Sequence, residues 1–200
     1  PSVLLGAVDM SPLAVAGAYH TLANGGVYAS LRSIREVSSA TGQPLKRYPL
    51  TVQKRFASGP VFLTQFAMQA TMRVGSGRSA YSVLPESLEV AGKTGTTNNQ
   101  RDSWFAGFSG DHLGVVWLGR DDNGKTPLTG SSGALKVWAE LFGKLSTRSL
   151  ITQPPADIEY YWVDVDSGKL SQQGCEGAIE LPFIKGFEPQ EQIYCQQSQP

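Results

Sequence analysis

Three strand-length stretches joined by short turns constrain this chain more than any other feature. Residues 88–97, 103–109 and 113–119 read as extended, with Asn98-Asn99-Gln100 between the first two and Gly110-Asp111 between the last two. Connections this short join antiparallel neighbours, because a parallel crossover needs a dozen or more residues. Helical patterns flank this meander. Ser11-Pro12 offers a capping hydroxyl and a proline at the first helical position, and Asn24-Gly25-Gly26 offers a stop. Leu13, Ala14, Ala18, Tyr19 and Leu22 are expected on the apolar face between them. Ser58-Gly59-Pro60 opens a second helix, with Phe62, Phe66, Ala70 and Val74 as its face and Gly75-Ser76-Gly77 as its end. A third is expected from Ser131 or Ser132, with a stripe of Leu135, Trp138, Leu141, Phe142 and Leu145. Residues 27–37 read as extended and Thr41-Gly42 as a turn. The order predicts an α+β fold, an antiparallel sheet flanked by helices.

Charge divides the chain in two. The total is balanced, 17 basic against 17 acidic residues, which gives no support for a nucleic-acid partner. Residues 1–150 nonetheless hold 15 basic and 9 acidic residues, and residues 151–200 hold 2 and 8. The break falls at Gln153-Pro154-Pro155, a stiff linker signal. We therefore expect a body over 1–150 and a tail module over 151–200. A chain of 200 residues can bury about 70% of its unfolded surface, so the body can hold a real core. No apolar run of about 18 residues offers a membrane span, and no signal peptide opens the chain. Pro1 and the abrupt Val3-Leu4-Leu5 read as the interior of a longer polypeptide.

In the tail, residues 160–170 read as a hairpin around Asp166-Ser167-Gly168. Both cysteines, Cys175 and Cys195, lie there too. Two cysteines make at most one bridge, and a bridge here would supply about 3 kcal/mol to a segment with little apolar mass. It would imply an oxidising compartment; the other reading is two unrelated thiols. Asp164, Asp166 and Gly168 faintly suggest a calcium loop. The glycine falls at the fifth position instead of the sixth, and Cys175 stands where the twelfth-position Glu belongs, so no metal is expected.

Gly92-Lys93-Thr94-Gly95-Thr96-Thr97 is the stretch that carries chemistry. A phosphate loop would need glycine at position 87, which is Ser87, and a helix after Lys93-Thr94, where glycine, threonine and asparagine follow. The alternative is the active-site edge strand of a serine acyltransferase. Lys93 supplies a fixed positive charge, and Thr94 and Thr96 supply hydroxyl donors for a carboxylate. Gly95 lets a ligand backbone lie close, as in strand addition, and the N–H of Thr96 can meet a developing oxyanion. Taken alone, Lys93 reads more readily as a solvated strand lysine.

Lys93-Thr94-Gly95-Thr96 resembles the third motif of penicillin-binding proteins and serine β-lactamases. Its surroundings resemble the class A, bifunctional penicillin-binding proteins more specifically. They are Ala91 to Asn98, Asp102-Ser103-Trp104-Phe105-Ala106-Gly107, Ser11-Pro12-Leu13 with Ala23-Asn24-Gly25-Gly26, Gly75-Ser76-Gly77, Trp117 to Asp121, and Gly130 to Ala134. Val165 to Leu170 and Lys185 to Pro189 are similar to the segment after the transpeptidase domain. The paired tail cysteines and Cys195-Gln196-Gln197-Ser198 resemble the 1b type of Gram-negative bacteria.

That resemblance implies a penicillin-binding transpeptidase fold with a small disulfide-linked β tail. It implies a D,D-transpeptidase that cross-links peptidoglycan stem peptides ending in D-Ala-D-Ala and is acylated by β-lactam antibiotics. Lys93 and Thr96 would be catalytic; Thr94, Gly95, Thr96 and Thr97 would bind substrate. No cofactor is implied. Ser-x-x-Lys, which carries the family's nucleophile, and Ser-x-Asn do not occur in the 200 residues. The resemblance places both upstream, with a glycosyltransferase domain and a membrane helix further upstream still. This chain would then be the C-terminal part of the domain, partnered by its upstream half and inactive alone. It would work on the periplasmic side of the inner membrane. Family analogy adds a lipoprotein activator and cell-division proteins as partners. A non-catalytic wall-binding module and a carboxypeptidase or β-lactamase are the competing readings.

Four further expectations concern single residues. His20 and His112 should be a helix-surface and a turn residue, outside catalysis. Trp104 and Phe105 are expected in the sheet core, with an aromatic shelf as the alternative. Arg101, Asp102, Arg120 and Asp121 are either an ion-pair set at the sheet end or part of a cleft. The basic excess of the body would favour acidic wall polymer.

Overall fold

The computed structural model of the chain describes residues 8–195. Pro1, Val3-Leu4-Leu5 and Gln196-Gln197-Ser198 lie outside the described residues. Helix α1 (Pro12–Ala23) starts where its cap indicates: Ser11 Oγ accepts the N–H of Ala14 at 3.2 Å. It ends where Gly25 and Gly26 take positive φ and the Gly26 N–H bonds the Thr21 carbonyl. Its packed residues are Tyr19, Leu22 and Ala23, whereas Leu13 is exposed. At 3.6 residues per turn Leu13 lies about 180° around the helix from Leu22, so the five expected residues never shared one face.

Residues 27–37 form two strands instead of one. β1 (Val27–Ala29) pairs antiparallel with β4 (Val52–Lys54), and β2 (Glu36–Ser38) pairs with β3 (Pro44–Arg47) around Thr41-Gly42. The chain changes partner between them. Ser30 donates to the Thr51 carbonyl, while Tyr48 donates back to Arg35.

Helix α2 (Ser58–Arg73) buries Val61, Phe62, Gln65, Met68 and Met72, and Val74 beyond it is exposed. A strict four-residue spacing drifts about 40° per step, so the expected row from Phe62 to Val74 leaves the buried face. Mixed steps of three and four residues keep Phe62, Gln65, Met68 and Met72 on it.

The meander is a three-stranded antiparallel sheet in the order β5 (Ala91–Thr96), β6 (Ser103–Phe108), β7 (Leu113–Leu118). Alternation along β6 builds two cores. Phe105 packs with Met72, Val90 and with Leu135, Trp138 and Phe142 of helix α3 (Ala134–Lys144). Phe108 packs on the other side with Met68, Ala91 and Leu150, against Tyr19 and Leu22 of α1. Helix α2 supplies a methionine to each cluster. Gly114 makes the α3 side possible, because a Cβ there would stand 2.8 Å from Trp138 Nε1 and 2.9 Å from the Phe142 ring. Trp138 and Phe142 stack with centroids 3.8 Å apart.

Helix α3 begins at Ala134, later than expected, and Leu141 in its stripe is half exposed. The cap comes from another element. Ser103 Oγ, fully buried in β6, accepts the Ala134 N–H at 2.9 Å and donates to the Thr129 carbonyl at 2.7 Å. Ser132 instead takes the Thr129 N–H at 2.9 Å, inside the preceding turn.

In the tail, β8 (Ile158–Asp164) pairs antiparallel with β9 (Ala178–Ile184), and the expected hairpin within 160–170 forms as a short one: Val163 and Leu170 make an antiparallel bridge, and the Asp164 N–H donates to the Lys169 carbonyl. The turn itself forms: Gly168 donates to the Asp164 carbonyl, and Asp164 Oδ1 accepts the Ser167 N–H and hydroxyl. After it, Ser171-Gln172-Gln173-Gly174 has no apolar alternation to extend a strand, and Leu170 makes only single bridges. Ile179, Leu181 and Phe183 restore the alternation in β9. Cys175 and Cys195 are bonded, with Cα atoms 5.7 Å apart. Among the described residues no cluster fit for a metal ion occurs, and no helix is long and apolar enough to cross a membrane.

Candidate active site

β5 is an edge strand, so one side of its backbone has no strand partner among the described residues. The ladder fixes which groups point there. Thr97 donates its N–H to the Asp102 carbonyl, and the register runs Gly95↔Trp104 and Lys93↔Ala106. Alternation in an antiparallel pair then turns the N–H and C=O of Thr94 and Thr96 to the open edge. The Thr96 N–H therefore has the direction an oxyanion donor needs.

Side chains alternate as well. Lys93, Gly95 and Thr97 share one face of the strand, that of Trp104 and Ala106, whereas on the other Thr94 meets Ser76 after α2 and Thr96 meets Gly130 in the loop before α3. Lys93 is exposed, makes no ion pair among the described residues, and reaches across to donate to the Thr94 carbonyl at 2.9 Å. An ammonium has three donors, so two are left for a ligand. Thr94 Oγ1 lies 2.7 Å from Ser76 Oγ. Thr96 Oγ1 accepts the N–H of Gly130 at 2.9 Å, which leaves its own proton to give.

Thr97 has a different position from its neighbours. Its hydroxyl donates to Asp102 Oδ2 at 2.8 Å and accepts the Asp102 N–H at 2.9 Å, closing the β5–β6 turn. Asp102 Oδ1 accepts the indole N–H of Trp117 at 2.9 Å. Gly95 lies across from Trp104, where a Cβ would stand 3.1 Å from the Trp104 Cβ.

These groups line a cleft of ≈ 580 Å³ between β5 and the segment leading into α1. Trp104, Ala106 and Trp117 form its floor, and Met10, Val15 and Tyr19 its far wall. The two aromatic neighbours thus divide: Phe105 is core and Trp104 faces the cleft. Of the four charged residues, Asp102 lines the cleft, while Arg120 pairs with Asp122 at 2.7 Å. That guanidinium and the Gly124 N–H hold the Asp122 carboxyl down at about 2. His20 lies in the last turn of α1 and His112 in the β6–β7 turn, bonded to Asp111 and Thr147. Neither lines the cleft.

Ser76, Ser103 and Gly130 are the supporting residues that the motif does not contain. They lie 18, 7 and 34 residues from their partners Thr94, Thr96 and Thr96 in sequence or register. The stretches Gly75-Ser76-Gly77, Asp102-Ser103-Trp104 and Gly130 to Ala134 were visible in the sequence, but which strand position each one meets is a property of the fold.

A free cation, a hydroxyl donor and outward N–H groups on one edge suit a ligand with a carboxylate and an adjacent carbonyl. The family described as penicillin binding protein transpeptidase domain matches residues 3–140. Penicillin-binding protein 1B of Haemophilus influenzae is 36% identical over 92% of this chain, and that of Escherichia coli is 35% identical over 100% of it. The chain spans 23% of the length of each. The crystal structure of penicillin-binding protein 1A from Haemophilus influenzae has a TM-score of 0.80 at 21% identity, covering 92% of this chain and 33% of that one, a likeness of fold. With its cleft, its edge strand and this match over most of its length, the chain belongs to the penicillin-binding protein transpeptidase domain family.

Proposed function

We propose that this chain supplies the carboxylate- and oxyanion-binding edge of a D,D-transpeptidase. The observation that carries the reading is the pairing of the free Lys93 ammonium with the outward Thr96 N–H on one open strand edge. The serine nucleophile and its lysine base come from polypeptide upstream of these residues. That serine attacks the penultimate carbonyl of a stem peptide ending in D-Ala-D-Ala and expels the last D-Ala. An amine of a neighbouring stem then resolves the acyl-enzyme, so the reaction is two-step covalent catalysis.

Lys93 draws the terminal carboxylate, and the hydroxyl of Thr96 donates to it. Thr94 completes that grip once its hydroxyl turns from Ser76. The Thr96 N–H forms half of the oxyanion hole, a donor whose loss costs about 3–4 kcal/mol in the transition state. Gly95 leaves the peptide free to lie along the strand. Thr97 acts one step back, by holding the turn through Asp102. A β-lactam presents the same carboxylate and carbonyl, and so acylates the same serine.

In this reading residues 1–150 are part of the transpeptidase domain and 151–200 its tail module. The parent is a bifunctional protein held at the periplasmic face of the inner membrane by a helix outside this chain. The Cys175–Cys195 bond suits that oxidising compartment. A lipoprotein activator and cell-division proteins are its proposed partners. The test is the intact mass of the full-length parent after benzylpenicillin. One stable adduct on a peptide upstream of this chain supports the reading. A folded parent with no adduct favours a wall-binding module.

A further inference from the structure

The charge excess of the body is concentrated in one place. Residues 28–56 carry Arg32, Arg35, Lys46, Arg47, Lys54 and Arg55 against Glu36 alone. That net of +5 is nearly all of the excess in 1–150, where 15 basic residues face 9 acidic ones. Glu36 is already taken by Arg47 at 2.6 Å. The other five cations make no ion pair among the described residues.

The same segment is unusually bare. Every residue of β2, β3 and β4 is exposed. Leu45 is 68% exposed, Val52 59% and Ile34 54%. Lys46 lies 4.9 Å from the Tyr48 ring centroid and Arg55 5.1 Å from that of Tyr28. Cations and apolar groups are interleaved: Val37 stands opposite Lys46 on one face of the hairpin and Glu36 opposite Arg47 on the other, with Leu45 exposed at the bulge between the paired residues. A membrane-surface element separates a polar face from an apolar one, and this one does not.

We propose that the β1–β4 and β2–β3 pairs form a docking surface for an anionic, peptide-bearing glycan strand of the cell-wall polymer. The cations meet stem-peptide carboxylates, and the exposed aliphatic and tyrosine side chains lie against sugar rings and peptide methyls. A basic surface of this kind raises the local concentration of acidic polymer and weakens with salt. The choice of polymer rests on the transpeptidase reading; the charge does not.

The test uses the full-length parent and purified sacculi, with Arg35→Gln, Lys46→Gln and Lys54→Gln combined. None of the three side chains forms an ion pair among the described residues; Lys54 gives up one exposed hydrogen bond, to the Gly25 carbonyl at 2.9 Å, and an unchanged melting temperature checks that the fold survives. Co-sedimentation at about 50 mM salt should fall about tenfold in the triple variant, which should also respond less to added salt. Benzylpenicillin acylation should stay at the wild-type rate. Unchanged sacculus binding would overturn the proposal. Binding to phosphatidylglycerol vesicles that drops while sacculus binding holds would overturn it in favour of a lipid surface. A parent that is never acylated, yet loses sacculus binding in the variant, would keep the surface and remove the transpeptidase reading.

Discussion

Gly130 donates its backbone N–H to the Thr96 hydroxyl at 2.9 Å, and this bond ties the loop before α3 to the strand edge that carries the site. The contact needs glycine. A Cβ on residue 130 would stand 2.7 Å from the carbonyl oxygens of Gly95 and Trp104 and 2.8 Å from the Gly95 nitrogen. All three neighbours are backbone atoms of the sheet and cannot swing aside. Gly130→Ala should therefore lift the loop, break the bond to Thr96 and destabilise the domain by about 1–3 kcal/mol. A lowered melting temperature with slower β-lactam acylation is the expected result in the parent. An unchanged melting temperature would show that the loop repacks freely.

Ser103 holds the same loop from the other strand. Its hydroxyl bridges the Thr129 carbonyl and the Ala134 N–H in a fully buried position. Ser103→Ala leaves both backbone groups without that partner, a loss of about 1–3 kcal/mol. Hydrogen exchange should report it first at the start of α3, with the rest of that helix less affected. Equal protection at Ala134 in both proteins would contradict the capping role.

Acid should loosen the β6–β7 turn. Asp111 accepts from the Thr147 hydroxyl, the Arg148 N–H, His112 and the Arg148 side chain, and these bonds hold its carboxyl well below the usual range. A folded pKa below the unfolded one contributes stability above the unfolded value, about 3.9, and loses it as pH falls toward the folded value. Protection of the 103–118 amides, corrected for intrinsic exchange, should drop between pH 6 and pH 3. Asp111→Asn should be less protected at pH 6 and should vary less with pH. Parallel profiles would exclude Asp111 as the source.

Reduction should act on the tail alone. The bond joins residues 20 apart, and closing a loop of that size stabilises by about 3 kcal/mol. Cys175→Ser with Cys195→Ser should speed proteolysis within 165–195 and leave benzylpenicillin acylation of the parent unchanged. A fall in acylation would mean that the tail supports the cleft.

Much of this was legible in the sequence, and the rest failed for identifiable reasons. The meander was readable because its turns are short and its strands have no competing helical period. The start of α1 was readable because Ser11-Pro12 is a local signal. The start of α3 was not, because its cap is Ser103, 31 residues away. The short hairpin around Asp166-Ser167-Gly168 was legible from its turn, but the longer β8–β9 pairing was not, because the polar 171–174 stretch separates β9 from that turn. In the site, the placement of Lys93 to Thr97 along one strand beside the cleft was legible from the motif. The tie of the Thr97 hydroxyl to Asp102 was not, because only the closed turn brings that partner near.

The central claim is that Lys93 and the β5 edge hold the carboxylate of a substrate or β-lactam. It is tested most directly by the second-order rate of benzylpenicillin acylation in the full-length parent, wild type against Lys93→Ala. A hydrogen bond to a charged group contributes about 1.5–3 kcal/mol, so the rate should fall about 10- to 100-fold with the melting temperature unchanged. A folded Lys93→Ala parent acylated at the wild-type rate would contradict the account and leave Lys93 a solvated strand lysine.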